Sequence, residues 1–368
     1  DPAMTASHTA RPLPRPTWTR TMATDPPGRT PKSQPTMADV AERAGVSTMT
    51  VSRALRKGGP ISDETRRRIM AAIDELGYVL DQTAGTLSSK RSGFVATLIP
   101  SINNSNFSDT VRGIGEAIEG SGLQLLLGRT DYLVENEETL LESMLTRRPE
   151  GIILTGGSHT PRSRRLLETV GIPVVETWDL PLEPIEHVIG FSNAAAIRAL
   201  THDLHARGYR NIGFIGGTAD RDTRGADRRL GYSQAIAELG LGQARIISFG
   251  SPPISMEQGG EAIAQLLDQW PEVDAAICVS DLSAFGALME CHRRGISVPG
   301  RIAIAGFGDF EVSRCSHPRL TTVSVDAVEI GRAAGSLLLR AIEARRVGQI
   351  LPPERHEMPF RVVQREST

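Results

Sequence analysis

Two kinds of hydrophobic pattern divide this chain of 368 residues. From residue 94 onward, short uninterrupted apolar runs alternate with longer segments in which apolar residues recur every three or four positions. Such runs are typical of buried strands and such segments of helices, so the alternation predicts parallel sheets with helices on both faces. The length accommodates two sheets of this kind. The predicted strands are 94–100, 123–129, 151–156, 173–177, 187–191, 211–217, 245–250, 275–280 and 302–308, and the predicted helices are 109–122, 135–147, 193–208, 228–240 and 281–295.

Residues 36–78 carry only the helical pattern and predict three short helices. Thr36 and Asp39 have the spacing of a capping box at the start of the first helix, and Gly45 is suited to end it. Ser47 is suited to cap the second helix and Ser62 the third. Two short helices that meet at a glycine, followed by a third after a loop, have the layout of a helix-turn-helix DNA reader.

The second of these helices has a polar face near its N-terminal end. Val51, Ala54 and Leu55 point inward in the predicted bundle, and the other side chains are free to meet base edges in the major groove. A small helical bundle that binds protein is the alternative, but it has no need of outward Ser and Arg residues. The predicted DNA contacts are Ser47, Thr48, Met49, Thr50, Ser52 and Arg53.

These segments resemble the LacI/GalR family of bacterial transcription regulators. The resemblance covers residues 36 to 365 and rests on DVAERAGVSTMTVSRAL, on SDETRRRIMAAIDELGY and on the α/β region that follows. Within the family, residues 137–162 and 171–179 look most like gluconate-utilisation repressors. The resemblance implies a three-helix helix-turn-helix head and a type I periplasmic-binding-protein-like α/β body with parallel sheets, two subdomains and an effector in the cleft between them.

Four segments are therefore expected along the chain. Residues 1–35 are rich in Pro, Thr and Arg and are interpreted as a disordered tail. The DNA-binding domain is expected at 36–80, the hinge at 81–92, and the effector-binding and dimerisation domain at 93–365. In the family, a hinge leucine enters the minor groove and kinks the duplex, and Leu87 occupies that position here. An ordinary linker contact is the alternative for Leu87.

Candidate effector residues follow the predicted strands, because ligands in this architecture bind outside the carboxyl ends of strands. In the family, the basic position matched by Arg228 holds the polar or charged head of the effector, and a guanidinium suits a carboxylate. Each of the other positions has a surface or capping role as its alternative. The candidates are Asn106, Phe107, His159, Arg162, Glu176, Arg224, Arg228, Ser280, Asp281 and Asp309.

Two departures from the family pattern bear on the effector. Many members have Asn-Asp where this chain has Ser280-Asp281, and many have Asp at the position of Gly308. Both changes remove a usual contact to a sugar hydroxyl. The expected effector is therefore a sugar acid such as gluconate, or a phosphorylated derivative, because acidic and hydroxyl groups suit a polyol and arginine suits the acid.

Charge and composition narrow the function further. Residues 1–92 contain 14 Lys and Arg against nine Asp and Glu, whereas the whole chain has a net charge of −2, so a basic head is joined to an acidic body. This split fits phosphate contact by the head alone. The three cysteines have no zinc-type spacing, so no metal or cofactor is expected, and neither is a membrane span.

These observations predict a cytoplasmic, homodimeric, operator-binding repressor without catalytic activity. Its expected partners are double-stranded operator DNA, a small effector and a second copy of the chain. A sugar solute-binding protein is the alternative that the body alone permits, and the N-terminal helices argue against it. A sugar-processing α/β enzyme is a third hypothesis, but no Ser-His-Asp arrangement stands at a nucleophile elbow.

Overall fold

The structure is a computed structural model that describes residues 35–55, 61–79, 92–217 and 222–368. The chain divides into two compact units, residues 1–85 and 86–368, which we call the head and the body. The predicted tail lies outside the described residues except for Pro35. The predicted hinge, Leu87 included, also lies outside the described residues except for Ser92.

The described part of the head contains three helices, α1 (Met37–Ala44), α2 (Thr48–Leu55) and α3 (Asp63–Leu76), as the helical pattern predicted. Thr36 and Asp39 form the expected capping box, and Ser62 accepts a hydrogen bond from the Thr65 amide. Gly45 and Gly77 end α1 and α3 with positive φ angles of 63° and 64°. Local sequence signals therefore specify the ends of these helices. The small core contains Val40, Ala41, Ala44, Val51, Ala54, Ile69, Ala72 and Tyr78.

The body contains two six-stranded sheets, each in its own lobe. Lobe 1 has the strand order β2-β1-β3-β4-β5-β11, and every neighbouring pair is parallel. Its strands are β1 (Phe94–Ile99), β2 (Gln124–Arg129), β3 (Ile152–Thr155), β4 (Val174–Thr177), β5 (His187–Gly190) and β11 (Arg355–Glu357). Its helices are α4 (Ser105–Ile118), α5 (Val134–Leu145), α6 (Pro161–Thr169) and α12 (Ala327–Arg346).

Lobe 2 has the strand order β7-β6-β8-β9-β10-β12, and it is parallel except for the last pair. Its strands are β6 (Ile212–Gly216), β7 (Arg245–Ser248), β8 (Ala275–Cys278), β9 (Ala303–Phe307), β10 (Thr321–Val325) and β12 (Phe360–Val363). Its helices are α7 (Asn193–Ala206), α8 (Thr223–Glu238), α9 (Met256–Gln269), α10 (Asp281–Arg293) and α11 (Glu311–Cys315).

The nine predicted strands are all present, but the sequence analysis did not predict β10, β11 and β12. These strands carry the chain from lobe 2 to lobe 1 and back, so the lobes are joined by three crossings, near residues 191, 326 and 359. The body also continues beyond residue 365, because Ser367 is fully buried and hydrogen-bonds Ile304 and Thr321. No helix of the described part of the chain is long and apolar enough to cross a membrane.

Candidate DNA interface and ligand cavity

The predicted DNA contacts lie on the outer face of α2. Met49 is 61% exposed although it is a large apolar residue, and Thr48 and Arg53 beside it are exposed as well. Ser52 is half-buried, whereas Val51 is packed in the core of the head. An α-helix fits the major groove of B-DNA, so this face presents an apolar, a hydroxyl and a guanidinium group in a suitable geometry.

Ser47 and Thr50 have a local role at the start of α2. Ser47 accepts a hydrogen bond of 3.2 Å from the Thr50 amide, and the two hydroxyl groups lie 2.9 Å apart. Ser47 is exposed and Thr50 is half-buried. The pair therefore caps the helix, and the Ser47 hydroxyl still borders the surface on which the other candidates stand.

Two arginines of α3, which the sequence analysis did not single out, hold the ends of the other helices. Arg66 donates to the Ala54 carbonyl at the end of α2 over 2.5 Å. Arg68 donates to the Ala44 carbonyl at the end of α1. Cations at these positions satisfy carbonyls that have no partner within the helix and complement the helix dipole. The capping signals next to each helix end do not predict these contacts, because the contacts join residues that are 12 and 24 positions apart.

A cavity of about 270 Å³ lies between the two lobes of the body. Five of the predicted effector residues line it, and they come from both lobes: Asn106, Phe107, Arg224, Arg228 and Ser280. Asn106 and Phe107 stand in the first turn of α4, the helix that follows β1. The Ser280 hydroxyl also caps α10 by accepting from the Ser283 amide over 3.3 Å.

Aromatic rings form much of the cavity wall. Phe107 contacts Trp178 edge to face with 5.5 Å between ring centroids, and Trp178 contacts Phe191 at 5.7 Å. Phe191, which is fully buried and does not line the cavity, stacks on Phe307 at 6.1 Å, so the row of rings runs from lobe 1 into lobe 2. Such rings supply flat apolar surface for the C–H faces of a sugar-sized ligand.

Arg228 is the polar centre of the lobe 2 wall. Its Nε donates to the Asn193 Oδ1 and its Nη1 to the Val279 carbonyl, both over 2.9 Å, and its guanidinium carbon lies 3.6 Å from the Phe307 ring centroid. Burial lowers the pKa of Arg228 to about 10, so it remains a cation at neutral pH. Among the described residues, its Nη2 has no hydrogen-bond partner and its guanidinium no ion pair. This nitrogen is available to an anion.

His159 and Glu176 do not line this cavity. The ring of His159 lies between two buried carboxylates, with its Nδ1 2.6 Å from Glu137 and its Nε2 3.2 Å from Glu176. Burial opposes protonation of His159, but the two carboxylates outweigh it and raise its pKa to about 9. Glu176 also accepts from the Ile185 amide over 2.6 Å. These groups are internal to lobe 1, so we leave them out of the ligand site.

Arg162, Asp281 and Asp309 are also outside the cavity. Arg162 is exposed and pairs with Glu142. Asp281 is fully buried under the cavity wall, where it accepts from the Phe310 amide over 2.7 Å and from Thr322 over 2.6 Å. Burial raises the pKa of Asp281 to about 6.

Asp309 is engaged in an ion pair with Arg365 at 2.5 Å. Burial opposes ionisation of Asp309, but Arg365 outweighs it and lowers the pKa of the carboxyl group. All three acidic candidates, Glu176, Asp281 and Asp309, therefore bond to groups of the protein itself.

Several lining residues were absent from the sequence-based set. Four of them stand shortly after a strand: Trp178 follows β4, Tyr132 follows β2, and Asn103 and Asn104 follow β1. Trp178 has a φ angle of 69°, and its indole N–H donates to the Thr110 hydroxyl over 2.9 Å. A non-glycine residue held in this conformation is a frequent mark of a functional site. Its position directly after β4 is the sequence signal from which Trp178 could have been predicted as a lining residue. The remaining lining residues are Ser101, Gly217, Asp222, Pro252, Pro253, Ile254, Ser255, Met256, Val279, Leu282, Phe307 and Phe310.

Comparison with known proteins gives consistent matches for both units. Residues 36–81 match the bacterial regulatory proteins of the lacI family, and residues 201–368 match the periplasmic binding protein-like domain. The chain is 36% identical over 329 residues to the HTH-type transcriptional regulator GntR of Escherichia coli strain K12, a match that covers 89% of this chain and 97% of that protein.

Two further relatives extend this result. GntR of Pseudomonas aeruginosa PAO1 is 37% identical over 335 residues, which is 91% of this chain and 96% of that protein. The crystal structure of a LacI family transcriptional regulator from Silicibacter pomeroyi is 35% identical, with a TM-score of 0.83, and the match covers 90% of this chain and 99% of that one.

Proposed function

The chain belongs to the lacI family of bacterial regulatory proteins, and we propose that it is a repressor whose affinity for operator DNA is controlled by a sugar acid bound between its lobes. As a member of that family it is a DNA-binding transcriptional regulator with an effector-binding body. The proposed part is the chemistry of the effector and the residues that meet it. The alternative of a solute-binding protein is not favoured, because the helix-turn-helix head belongs to the same chain.

One observation carries the assignment of a sugar acid. Arg228 is a partly buried cation whose Nη2 has no partner among the described residues, at the wall of a cavity that is also lined by five aromatic rings. Asp222 lines the same cavity and favours the charged form of Arg228 but forms no ion pair with it, so a ligand that brings a carboxylate to this nitrogen gains a charge-assisted hydrogen bond. A neutral sugar offers no such gain.

The rest of the cavity suits the polyol part of the ligand. Asn103, Asn104 and Asn106 provide amide donors and acceptors from lobe 1, and Asp222 provides a carboxylate from lobe 2. Phe107 and the rings beside it supply apolar surface between these polar groups. A linear six-carbon polyhydroxy acid such as gluconate combines both features and is therefore the effector that we propose.

The DNA side of the proposal assigns base contacts to the exposed face of α2. Arg53 and Thr48 are the proposed polar contacts and Met49 the proposed apolar contact, for example to a thymine methyl group. Two heads in a homodimer would read two half-sites of a near-palindromic operator. Because its partner is chromosomal DNA, we place the protein's activity in the cytoplasm.

The effector proposal is tested with the fluorescence of the native protein, since Trp178 lies in the cavity wall. Titration with gluconate should change this fluorescence saturably, whereas glucose, which has the same carbon chain but no carboxylate, should require at least a hundredfold higher concentration. Arg228→Met should remove the preference for the acid. A response to glucose at concentrations equal to those of gluconate would refute the sugar-acid assignment, and 6-phosphogluconate tests whether a second anionic group is accepted.

A further inference from the structure

Two arginines stand one turn apart on α8, and their side chains bond to different lobes. The polar and ring partners of Arg228 belong to lobe 2. Those of Arg224, although it belongs to the same helix of lobe 2, all belong to lobe 1. We propose that Arg224 is a positioning residue that couples occupation of the cavity to the arrangement of the two lobes, rather than the group that binds the acid of the ligand.

The contacts of Arg224 fasten α8 to lobe 1. Its Nη1 donates to the carbonyl of Thr155, the last residue of β3, over 3.3 Å. Its guanidinium carbon lies 5.6 Å from the ring centroid of Phe107 and 5.8 Å from that of Tyr132, within the range of cation–π attraction. The side chain is nearly fully buried, with a relative exposure of 6%. All three contacts are made by one guanidinium group, which extends from α8 in lobe 2 to lobe 1.

The backbone of lobe 1 is shaped to accept this guanidinium. Gly156 has a φ angle of 105°, and a Cβ added there would come within 2.8 Å of the Arg224 Nη1. Any other residue at position 156 would therefore meet the guanidinium and would also strain the backbone. The glycine after β3 makes room for an arginine from the opposite lobe.

A second, smaller cavity also borders Arg224. It has a volume of about 40 Å³ and shares Tyr132 and Arg224 with the main cavity. Apart from Thr223 and Arg224, all of its lining residues belong to lobe 1, Glu137 and Thr155 among them. The side chain of Arg224 is therefore surrounded by lobe 1 although its helix belongs to lobe 2.

A ligand that draws Arg228 towards its carboxylate acts on the same helix that carries Arg224. Because α8 is a rigid element between the two arginines, a shift at Arg228 must change or strain the contacts that Arg224 makes with Thr155. This step rests on the proposed function, since it takes Arg228 as the residue that holds the ligand. The link from Arg224 to lobe 1 exists without the ligand and is tested separately.

The first test measures the lobes without any effector. Spin labels are placed at Arg165→Cys in lobe 1 and Ala206→Cys in lobe 2, both exposed, after Cys315→Ser has removed the exposed native thiol. Pulsed electron-spin distance measurements, with labelled chain diluted in unlabelled chain, should give a broader distribution for Arg224→Met than for the parent. The matched control is Arg198→Met, which removes an exposed arginine of lobe 2 that pairs within its own lobe. An unchanged distribution in Arg224→Met overturns the proposal.

The second test measures operator affinity with and without saturating gluconate. With gluconate at a saturating concentration for each protein, the factor by which gluconate changes operator affinity should be at least tenfold smaller in Arg224→Met than in the parent. A factor that stays the same, or a loss of gluconate binding as large as that of Arg228→Met, overturns the coupling role. If Arg224→Met does not fold, Arg224→Lys is used, which keeps the charge but not the planar fork. If the parent itself ignores gluconate, the effector proposal fails and the distance measurement alone decides the role of Arg224.

Discussion

The buried group around His159 makes the stability of the body depend on pH in a way that a single substitution can reveal. His159 has a side-chain exposure of 1% and lies between Glu137 and Glu176, which raise its pKa to about 9 against the cost of burial. A histidine whose pKa is raised on folding stabilises the folded state fully below its unfolded pKa of about 6.5 and loses that effect as the pH rises through about 9. At about 1.4 kcal/mol for each pKa unit, the protonated histidine contributes on the order of 3 kcal/mol at pH 6.

His159→Gln removes the titrating group and keeps a hydrogen-bond donor. The free energy of unfolding, measured by urea denaturation with near-ultraviolet circular dichroism, should be lower in the variant than in the parent by about 3 kcal/mol at pH 6. This difference should shrink steadily between pH 6.5 and pH 9 and should become small above pH 9. The control is His202→Gln, which removes an exposed histidine. A difference between parent and His159→Gln that does not change from pH 6 to pH 9.5 would show that His159 is not protonated between the carboxylates.

Three further predictions concern DNA binding and packing. Arg53→Ala should weaken binding to a selected operator at least tenfold and change binding to random-sequence DNA less than threefold, as measured by fluorescence anisotropy; equal losses on both DNAs would mean that Arg53 contacts only the backbone. Arg68→Met should also weaken operator binding about tenfold but leave the salt dependence of the operator affinity unchanged, because Arg68 bonds a backbone carbonyl of the head and not the DNA. A shallower salt dependence in the variant would instead identify Arg68 as a phosphate contact. In α4, Gly113→Ala should destabilise the body by several kcal/mol in thermal unfolding, because the added Cβ would lie 2.1 Å from a backbone oxygen of α12. Gly115→Ala should stabilise the body by about 1 kcal/mol, because the nearest atom to its Cβ is a side-chain atom at 3.9 Å and alanine favours the helix. Similar effects of the two substitutions would contradict the packing of α4 on α12.

The parts of the fold that the sequence predicted are those specified by local signals. The caps of α1 and α3 follow from residues within three positions of each helix end. The strands that were not predicted lack such a signal. In β10, Thr321 and Thr322 are fully buried although their side chains are polar, because their hydroxyl groups hydrogen-bond distant residues, Thr321 to Thr368 and Thr322 to Asp281. In β11 all three residues are exposed, so pairing with β5 rather than burial defines the strand.

The same distinction explains why five of the candidates line the cavity between the lobes, whereas none of the three acidic candidates does. Placing candidates after strands identifies the correct edge of each sheet, and Arg228 and Ser280 were found in this way. Whether an acidic side chain at that edge is free to face a ligand depends on residues that are distant in the sequence. Asp309, for example, is paired with Arg365, which is 56 residues away. Glu176, Asp281 and Asp309 are all satisfied by the protein. Among the described residues, neither Arg224 nor Arg228 forms an ion pair, and Asp222 is the acidic side chain that lines the cavity with them. A carboxylate bonded directly to Arg228 is the part that we propose the ligand supplies.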